Sequence, residues 1–329
     1  MIELIITISI LLIKIVVVFS IVMLLVAYVP LMERKVLGFI QVRHGPNRVG
    51  WFGLLQPIAD GLKLFFKEEI TVGKANKWIY HLAPVIYTAC ALAIYAVIPF
   101  GDDVEVLGRI IPFYIADINI GILYIFALSS LGVYGLILAG WSSNNKYSLL
   151  GSLRAAAQTI SYELPLGLSV VGVLMLTGSL SMVDIVNAQE NLWFVVIQPF
   201  GFLLYLICAF AETGRTPFDL VECENELVAG YQTEYSSMKF ALFYMAEYMH
   251  IIAVSAIAVT LFWGGWRGPF LPPLVWFLVK VLAFVFFFIW VRATYPRFRY
   301  DQLMQFGWKV LLPLALVNIV VTSFIMVII

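Results

Sequence analysis

The sequence has few of the residues that form most soluble active sites. Only 12% of its 329 residues are charged, about half the share of an average soluble domain. The three cysteines, Cys90, Cys208 and Cys223, form no C-x-x-C pair, and the three histidines lie far apart along the chain. These residues provide no recognisable ligand set for zinc, haem or an iron–sulfur cluster. The chain also lacks a G-x-G-x-x-G or G-K-[ST] loop, which excludes the common nucleotide-binding motifs.

What the sequence has instead is long hydrophobic runs. Hydrophobic residues make up 62% of the chain, and a helix needs about 20 of them to cross the hydrocarbon core of a membrane. We therefore predict an all-α polytopic membrane protein, a single domain over residues 1–329, with eight transmembrane helices and amphipathic interfacial helices on the cytoplasmic or matrix side. The predicted spans are approximately 5–31, 78–100, 119–141, 155–177, 192–211, 240–263, 274–294 and 310–328.

Positive charge is distributed unevenly among the predicted connections. Lysine plus arginine and aspartate plus glutamate both number 20, and this zero net charge argues against a nucleic-acid partner. Sixteen of the 20 basic residues are in or next to the first, third, fifth and seventh connections. Because basic flanks stay on the cytoplasmic side, we predict outward termini and inward loops at 32–77, 142–154, 212–239 and 295–309. Lys14 and Lys280 lie within spans, and we expect both to snorkel to the membrane surface.

The most unusual stretch is an acidic segment, residues 211–239, between two apolar runs. Three of its carboxylates, Glu222, Glu224 and Glu226, are so close in sequence that ionising one raises the pKa of its neighbours. Such a group can take up and release protons near neutral pH. The alternative is a solvated acidic loop that keeps the chain soluble. The segment contains two basic residues, Arg215 and Lys239, and six carboxylates: Glu212, Asp219, Glu222, Glu224, Glu226 and Glu234.

Two further carboxylates lie inside predicted spans, Glu163 in the fourth and Glu247 in the sixth. A charge at the bilayer centre costs from about 2.5 to more than 10 kcal/mol, so such residues usually face a cavity and have a function. We favour a functional role for both over a purely structural hydrogen bond. His250, also in the sixth span, is either a member of a pH-sensitive relay or a packing residue.

The first inward connection contains an amphipathic pattern. Apolar residues recur at helical spacing over 54–65, and Gln56, Asp60, Lys63 and Lys67 recur on the opposite face. This pattern predicts a helix lying in the membrane interface. Anchorage alone does not explain an aspartate on such a helix.

At the end of the seventh span, Arg292 is placed to face an ionisable or quinone-like head group.

Several blocks of sequence resemble one known family nearly end to end. They are ERKVLG at 33–38, RHGPNRVG at 43–50, LQPIAD at 55–60, WSSNNKY at 141–147, LRAAAQTISYELP at 153–165, ELVAGYQTEY at 226–235, MKFALF at 238–243 and YPRFRYDQLM at 295–304. The pattern resembles subunit 1, also called the H subunit, which is the quinone-chamber membrane subunit of respiratory complex I, the proton-pumping NADH:quinone oxidoreductase. The family fold of eight spanning helices agrees with the count above. Departures from the family pattern at Gly214, Val221, Cys223 and Ser237 remove no carboxylate.

The resemblance implies that this chain docks the peripheral arm and, with the quinone-site subunits of that arm, encloses a tunnel that admits quinone from the bilayer. The first and sixth spans and the interfacial helix would line its opening. The implied tunnel residues are Arg34, Asp60, Phe218 and Arg292. The implied proton-coupling residues, which connect the quinone chamber to the antiporter-like subunits, are Glu163, Glu212, Glu222, Glu224, Glu226, Glu234 and Glu247.

The resemblance also implies that the chain binds no cofactor and is not catalytic alone. Quinone is the substrate, FMN and iron–sulfur clusters belong to partner subunits, and NADH binds elsewhere in the complex. The partners are peripheral-arm, small and antiporter-like membrane subunits, together with lipids. The expected location is the bacterial inner membrane, or the mitochondrial inner membrane if the chain is organelle-encoded.

Two alternative functions stay open. One is the equivalent membrane subunit of a related membrane-bound hydrogenase or other dehydrogenase, which shares the fold. The other is a stand-alone ion transporter that uses the buried carboxylates. Against the transporter, the sequence has no repeated halves with paired broken helices.

Overall fold

The computed structural model describes residues 2–106, 108–220 and 227–328, which form a bundle of α-helices with one small hairpin. This confirms the predicted all-α polytopic class. The helices are α1 Ile2–Ile40, α2 Gln56–Phe66, α3 Lys77–Ala93, α4 Gly121–Ser142, α5 Lys146–Thr177, α6 Met182–Ala188, α7 Phe194–Ile197, α8 Pro199–Glu212, α9 Ser237–Phe262, α10 Pro273–Thr294, α11 Tyr300–Phe306 and α12 Leu312–Ile328. A π-helical stretch, Gly307–Leu311, joins α11 to α12. The antiparallel strands β1 Val104–Val106 and β2 Arg109–Ile111 form the hairpin.

Seven helical segments within the described residues are long and apolar enough to cross a membrane. The predicted fifth span, 192–211, is instead the four-residue α7 followed by the 14-residue α8. At 1.5 Å per residue, α8 is about 21 Å long, shorter than a hydrocarbon core of about 30 Å. The count of eight spans therefore stays a prediction. α1 continues through Ile40 and α5 begins at Lys146, so parts of the predicted 32–77 and 142–154 loops are helical.

The core of the bundle is α9. Its most apolar 18-residue window is 83% buried, as expected for a helix that is hydrophobic on all sides. Two buried tyrosines fasten neighbouring segments to its backbone. Tyr95 donates a hydrogen bond to the Met249 carbonyl at 2.6 Å, and Tyr205 of α8 donates to the Val254 carbonyl at 3.0 Å. Carbonyls of a central helix thus accept hydrogen bonds from the buried hydroxyl groups around it.

Small residues let α4 and α5 approach each other closely. A Cβ atom added at Gly140 would lie 2.1 Å from the Oγ of Ser152. On another side of α5, a Cβ atom added at Gly151 would lie 2.6 Å from the Cα of Gly230, in the connection before α9. Close backbone contact through small residues is how membrane helices gain van der Waals packing without a hydrophobic driving force between them. This packing fixes the position of α4, which carries two serines of the site described below.

The expectation that Lys280 snorkels is wrong. Its Nζ donates to the carbonyl oxygens of Trp263, Gly265 and Arg267 at 2.7, 3.0 and 2.7 Å, and the residue is only 6% exposed. The carbonyls at and beyond the end of a helix lack intrahelical donors and carry partial negative charge, so they attract a cation. Lys280 is therefore a buried cap on α9. Lys14, by contrast, is half-buried, and its Nζ lies 3.4 Å from the Tyr114 carbonyl.

Candidate functional site

A cavity of about 490 Å³ lies between α1, α2 and α9. Its walls are mostly apolar, and its polar lining includes Arg34, Asp60 and Tyr244. The Nη1 of Arg34 lies 2.7 Å from Oδ2 of Asp60, and Gln56 donates to Oδ1 of the same carboxylate at 2.9 Å. A large, mainly apolar cavity with a few fixed polar groups is the usual form of a small-molecule site. The structure therefore brings two of the four predicted tunnel residues together at one cavity.

The position of α2 depends on a tight turn and on contacts with the start of α9. Gly53 has φ +78°, and a Cβ atom there would lie 2.3 Å from the Pro46 carbonyl oxygen, so only glycine fits the turn. Ser237 Oγ donates to the Leu64 carbonyl at 3.0 Å. Lys239 and Glu69 form an ion pair at 2.7 Å, and the hydrogen bond from Lys239 lowers the pKa of Glu69. These contacts hold the amphipathic α2, none of whose residues is buried, against α9.

Beside this cavity is a buried ion cluster, which consists of Glu33, Arg215, Glu247, Tyr248 and Arg292. The hydroxyl of Tyr248 donates to Oε2 of Glu33 at 2.6 Å, and Arg292 pairs with its Oε1. Arg215 lies 3.8 Å from Oε1 of Glu33, and its Nε lies 3.0 Å from Oε1 of Glu247. The cluster thus joins α1, α9, α10 and the segment after α8. Buried charges are tolerated when they are paired in this way.

Tyr244 connects the cavity to the cluster. Its side chain lines the cavity, and its hydroxyl lies 3.1 Å from the hydroxyl of Tyr248. Polar side chains therefore continue without interruption from Arg34 and Tyr244 to Glu33.

A second, smaller cavity of about 40 Å³ continues the polar path beyond the cluster. It is lined by both Glu247 and Glu212, and it exceeds the volume of about 10–15 Å³ that an internal water needs. Ser129 of α4 donates to Glu212, and the adjacent Ser130 donates to Glu163. Glu163 and Glu212 are close enough to interact electrostatically. The structure thus brings together three of the predicted coupling carboxylates.

The other predicted site residues lie elsewhere or outside the described residues. Phe218 is buried with its ring centroid 5.6 Å from that of Tyr162 and 5.5 Å from that of Phe298, away from the large cavity. Glu234 accepts a hydrogen bond at 2.6 Å from Asn145, at the start of α5. Glu222, Glu224 and Glu226 lie outside the described residues. Across residues 2–106, 108–220 and 227–328, no group of three or more His, Cys, Asp or Glu side chains could hold a metal ion.

Sequence reasoning missed Glu33, which is at the centre of the ion cluster and only 6% exposed. A signal was present, because Glu33 continues at helical spacing the buried stripe of Val22, Val26 and Val29. Successive helical residues point about 100° apart. Glu33 therefore faces the protein interior, while the adjacent Arg34 faces the cavity.

Comparison with known proteins adds a second line of support. The chain matches the NADH dehydrogenase family over residues 13–323. It is 56% identical to the NADH-quinone oxidoreductase H subunit numbered 2 of Geobacter sulfurreducens over 313 residues, which cover 95% of each chain. It is 55% identical to the H subunit of Protochlamydia amoebophila over 298 residues, covering 91% of this chain and 92% of the relative. It is 50% identical to the H subunit numbered 2 of Rhizobium meliloti over 323 residues, covering 98% of each chain.

Proposed function

The chain belongs to the family of NADH-quinone oxidoreductase H subunits, membrane subunits of respiratory complex I, and from this premise we propose that it forms the quinone-access tunnel, docks the peripheral arm and couples quinone reduction to proton translocation. It is a multi-pass membrane protein and a subunit of an oxidoreductase complex, whose other subunits are its partners. In this proposal the chain carries no cofactor, and FMN and iron–sulfur clusters belong to the partners. Its relatives favour this function over a hydrogenase subunit or a stand-alone transporter.

The large cavity supports the tunnel. Its apolar walls, contributed by α1, α2 and α9, fit the isoprenoid tail of a quinone, and the polar Arg34, Asp60 and Tyr244 fit its head group. Arg292 would act one step further inward, because it belongs to the ion cluster that Tyr248 links to the cavity. Phe218 keeps its proposed role only if the tunnel extends beyond this cavity to the Tyr162–Phe298 contact.

Ala27 lies on the α1 wall of the cavity and provides a test of the tunnel. Replacement by tryptophan inserts a bulky ring into this space. We expect Ala27→Trp to raise the apparent KM for a long-tailed quinone by about tenfold, equivalent to about 1.4 kcal/mol of lost binding. The matched control is Leu24→Trp, on the same helix, where the native side chain is 60% exposed and does not line the cavity. Equal KM values for the two variants would contradict the tunnel.

The main support for coupling is the path of polar side chains that leads from the large cavity to Glu163. The first part of this path runs through Tyr244 and Tyr248 to the contacts among Glu33, Arg215 and Glu247. The 40 Å³ cavity then joins Glu247 to Glu212. Negative charge on a reduced quinone would change which carboxylates pair with Arg215 and Arg292, the two arginines of the ion cluster. The coupled carboxylates beyond them would then change their proton occupancy together. We include Glu222, Glu224, Glu226 and Glu234 in this relay on the strength of their positions in the sequence.

Glu212→Gln in the assembled complex tests the relay. The amide cannot bind and release the proton, so we expect proton translocation to fall by at least about tenfold. The measurement is proton uptake and release by vesicles during NADH oxidation, normalised to assembled complex. The control is Glu190→Gln, because Glu190 is 71% exposed and pairs with Arg267. Normal pumping by the Glu212 variant would exclude this residue from the relay.

Exposed aromatic side chains support docking of the peripheral arm. Trp51 and Phe52, in the connection between α1 and α2, are 85% and 73% exposed. Large aromatic residues are enriched in protein–protein interfaces. We place this connection on the cytoplasmic side, with both termini outward in the bacterial inner membrane, because sixteen of the 20 basic residues accompany it and the other predicted inward connections. Cross-linking from position 51 to a peripheral-arm subunit in the native complex would test the contact.

A further inference from the structure

A third cavity, of about 20 Å³, lies between α4, α5, α8 and α9. Most of its wall is apolar. Its polar lining consists of Ser129, Tyr205, Glu212 and His250. Glu212 also lines the 40 Å³ cavity that it shares with Glu247, so its carboxylate lies between two internal spaces. The side that faces Glu247 belongs to the proposed relay, and the side that faces His250 has no assigned function.

Two residues that line this third cavity, Glu212 and His250, each have a buried polar atom to account for. Oε1 of Glu212 accepts a hydrogen bond from Ser129. Oε2 of Glu212 and Nε2 of His250 are both buried, and neither has a hydrogen-bond partner within the part of the chain that the structure describes. A buried polar atom left unpaired is unfavourable, because it has lost its hydrogen bonds to water without replacing them. Such atoms in folded proteins are therefore normally paired with protein groups or with ordered water.

The ring of His250 is held in place by its neighbours. Its centroid lies 5.2 Å from that of Tyr87, and a Cβ atom added at Gly132 would lie 3.9 Å from Nε2. The glycine leaves room at the ring nitrogen. Tyr205, which also lines the cavity, is fixed by the hydrogen bond from its hydroxyl to the Val254 carbonyl. His250 and Tyr205 are thus held by separate contacts, and neither depends on the other for its position.

The size and the lining of the cavity fit one water molecule. An internal water needs about 10–15 Å³ and two to four polar partners. The cavity provides about 20 Å³, and Glu212 and His250 both line it, each with a buried atom, Oε2 and Nε2, that has no hydrogen-bond partner among the described residues. Ser129 provides a third partner, because its hydroxyl oxygen keeps its acceptor lone pairs after donating to Glu212.

We propose that Glu212, His250 and Ser129 form a binding site for one internal water, and that His250 through this water is a positioning residue for the Glu212 carboxyl group. The inference rests on the proposed function of Glu212 in coupling. The water and Ser129 would hold the two carboxyl oxygens from different sides. The group then keeps one orientation toward the cavity shared with Glu247, which favours proton exchange in that direction. His250 itself transfers no proton in this arrangement.

The experiment compares His250→Leu with His250→Gln in the assembled complex. Glutamine places an amide near the position of Nε2, whereas leucine fills similar space without a polar atom. The readout is the redox-difference infrared spectrum, in which the Glu212 carboxyl C=O band is assigned by its loss in Glu212→Gln. We expect His250→Leu to shift this band to higher wavenumber and to lower proton translocation about fivefold, the effect of losing about 1 kcal/mol of hydrogen bonding. His250→Gln should restore both toward the unaltered values.

Three outcomes would overturn the inference. The first is an unshifted band and normal pumping in His250→Leu. The second is equal impairment in His250→Gln, which would assign the effect to packing of the imidazole ring. The third needs no His250 variant and concerns the unaltered complex in heavy-oxygen water. There we expect an isotope-shifted O–H band from an internal water, and we expect Glu212→Gln to lose this band. Absence of the band from the unaltered complex would contradict the water site.

The outcome for the proposed function is separate. Normal pumping by Glu212→Gln would exclude that residue from the relay, whatever the His250 variants do. Loss of pumping in Glu212→Gln together with unaltered behaviour of His250→Leu would leave the relay intact and remove only the water site. Assembly is checked in every variant by the iron–sulfur content of the purified complex.

Discussion

Glu33→Gln is expected to destabilise the protein by about 3 kcal/mol or more, because breaking a buried ion pair leaves an uncompensated charge. Glu33 is the carboxylate between Arg292 and Arg215, and the side chains of Glu33 and Arg215 are each only 8% exposed. Glutamine retains an acceptor for the Tyr248 hydroxyl but removes the negative charge next to Arg292, whereas Arg215 keeps Glu247 as a partner. The measurements are the amount of assembled complex in membranes and the midpoint temperature at which it dissociates.

The adjacent residue provides the control for Glu33. Arg34 and Asp60 also form an ion pair, but their side chains are 45% and 36% exposed. Exposed pairs contribute about 0–1 kcal/mol, so Arg34→Gln should assemble normally and alter only the apparent affinity for quinone. Equal losses of assembled complex in the two variants would contradict the distinction between a buried Glu33 and an exposed, tunnel-facing Arg34.

Lys280→Met is expected to cost about 3 kcal/mol, since it removes the donor from one buried and two half-buried carbonyl groups, and each unmatched polar group costs about 1–3 kcal/mol. Lys280 is 6% exposed, and its ammonium also lies 4.5 Å from the ring centroid of Trp193. Loss of the cap should loosen the connection between α9 and α10. We expect a lower dissociation temperature with little change in quinone turnover per assembled complex, because Lys280 does not line the cavity of the proposed tunnel.

The matched control for Lys280 is Lys14→Met. From the sequence alone the two lysines cannot be distinguished, since each is a single charge within an apolar run. In the structure, Lys14 is only half-buried and has one long contact, 3.4 Å, to the Tyr114 carbonyl. Its replacement should change stability by less than about 1 kcal/mol. A loss as large as that of Lys280→Met would show that the buried cap is not what distinguishes the two sites.

Most of the helices could be predicted from the sequence because the requirement that defines a span is local. The predicted spans 274–294 and 119–141 differ by at most two residues at either end from α10, Pro273–Thr294, and α4, Gly121–Ser142. The amphipathic pattern before Phe66 likewise predicted α2. The prediction was poorest where helices continue into polar sequence, as α1 does to Ile40, because hydropathy then gives no signal of continuation.

Part of the candidate site was also predictable. Glu163 and Glu247 stood out because ionisable groups are costly near hydrocarbon, and Glu212 stood out as a member of the acidic segment; the structure brings the three together around internal serines and a small cavity. Glu33 did not stand out, because it lies in a run of charged residues that resembles an ordinary helix end. Phe218 and Glu234, predicted with the others, lie apart from this group.

The sequence by itself determined the class of the protein, a bundle of apolar helices with its positive charge in alternate connections, because hydrophobicity and charge act on each segment independently. Only the tertiary structure decided which charges meet. Arg292 and Glu33, 259 residues apart, pair because α1 and α10 pack with these side chains facing each other. Such a pairing depends on the rotation and relative height of two helices, and neither quantity is a property of either segment alone.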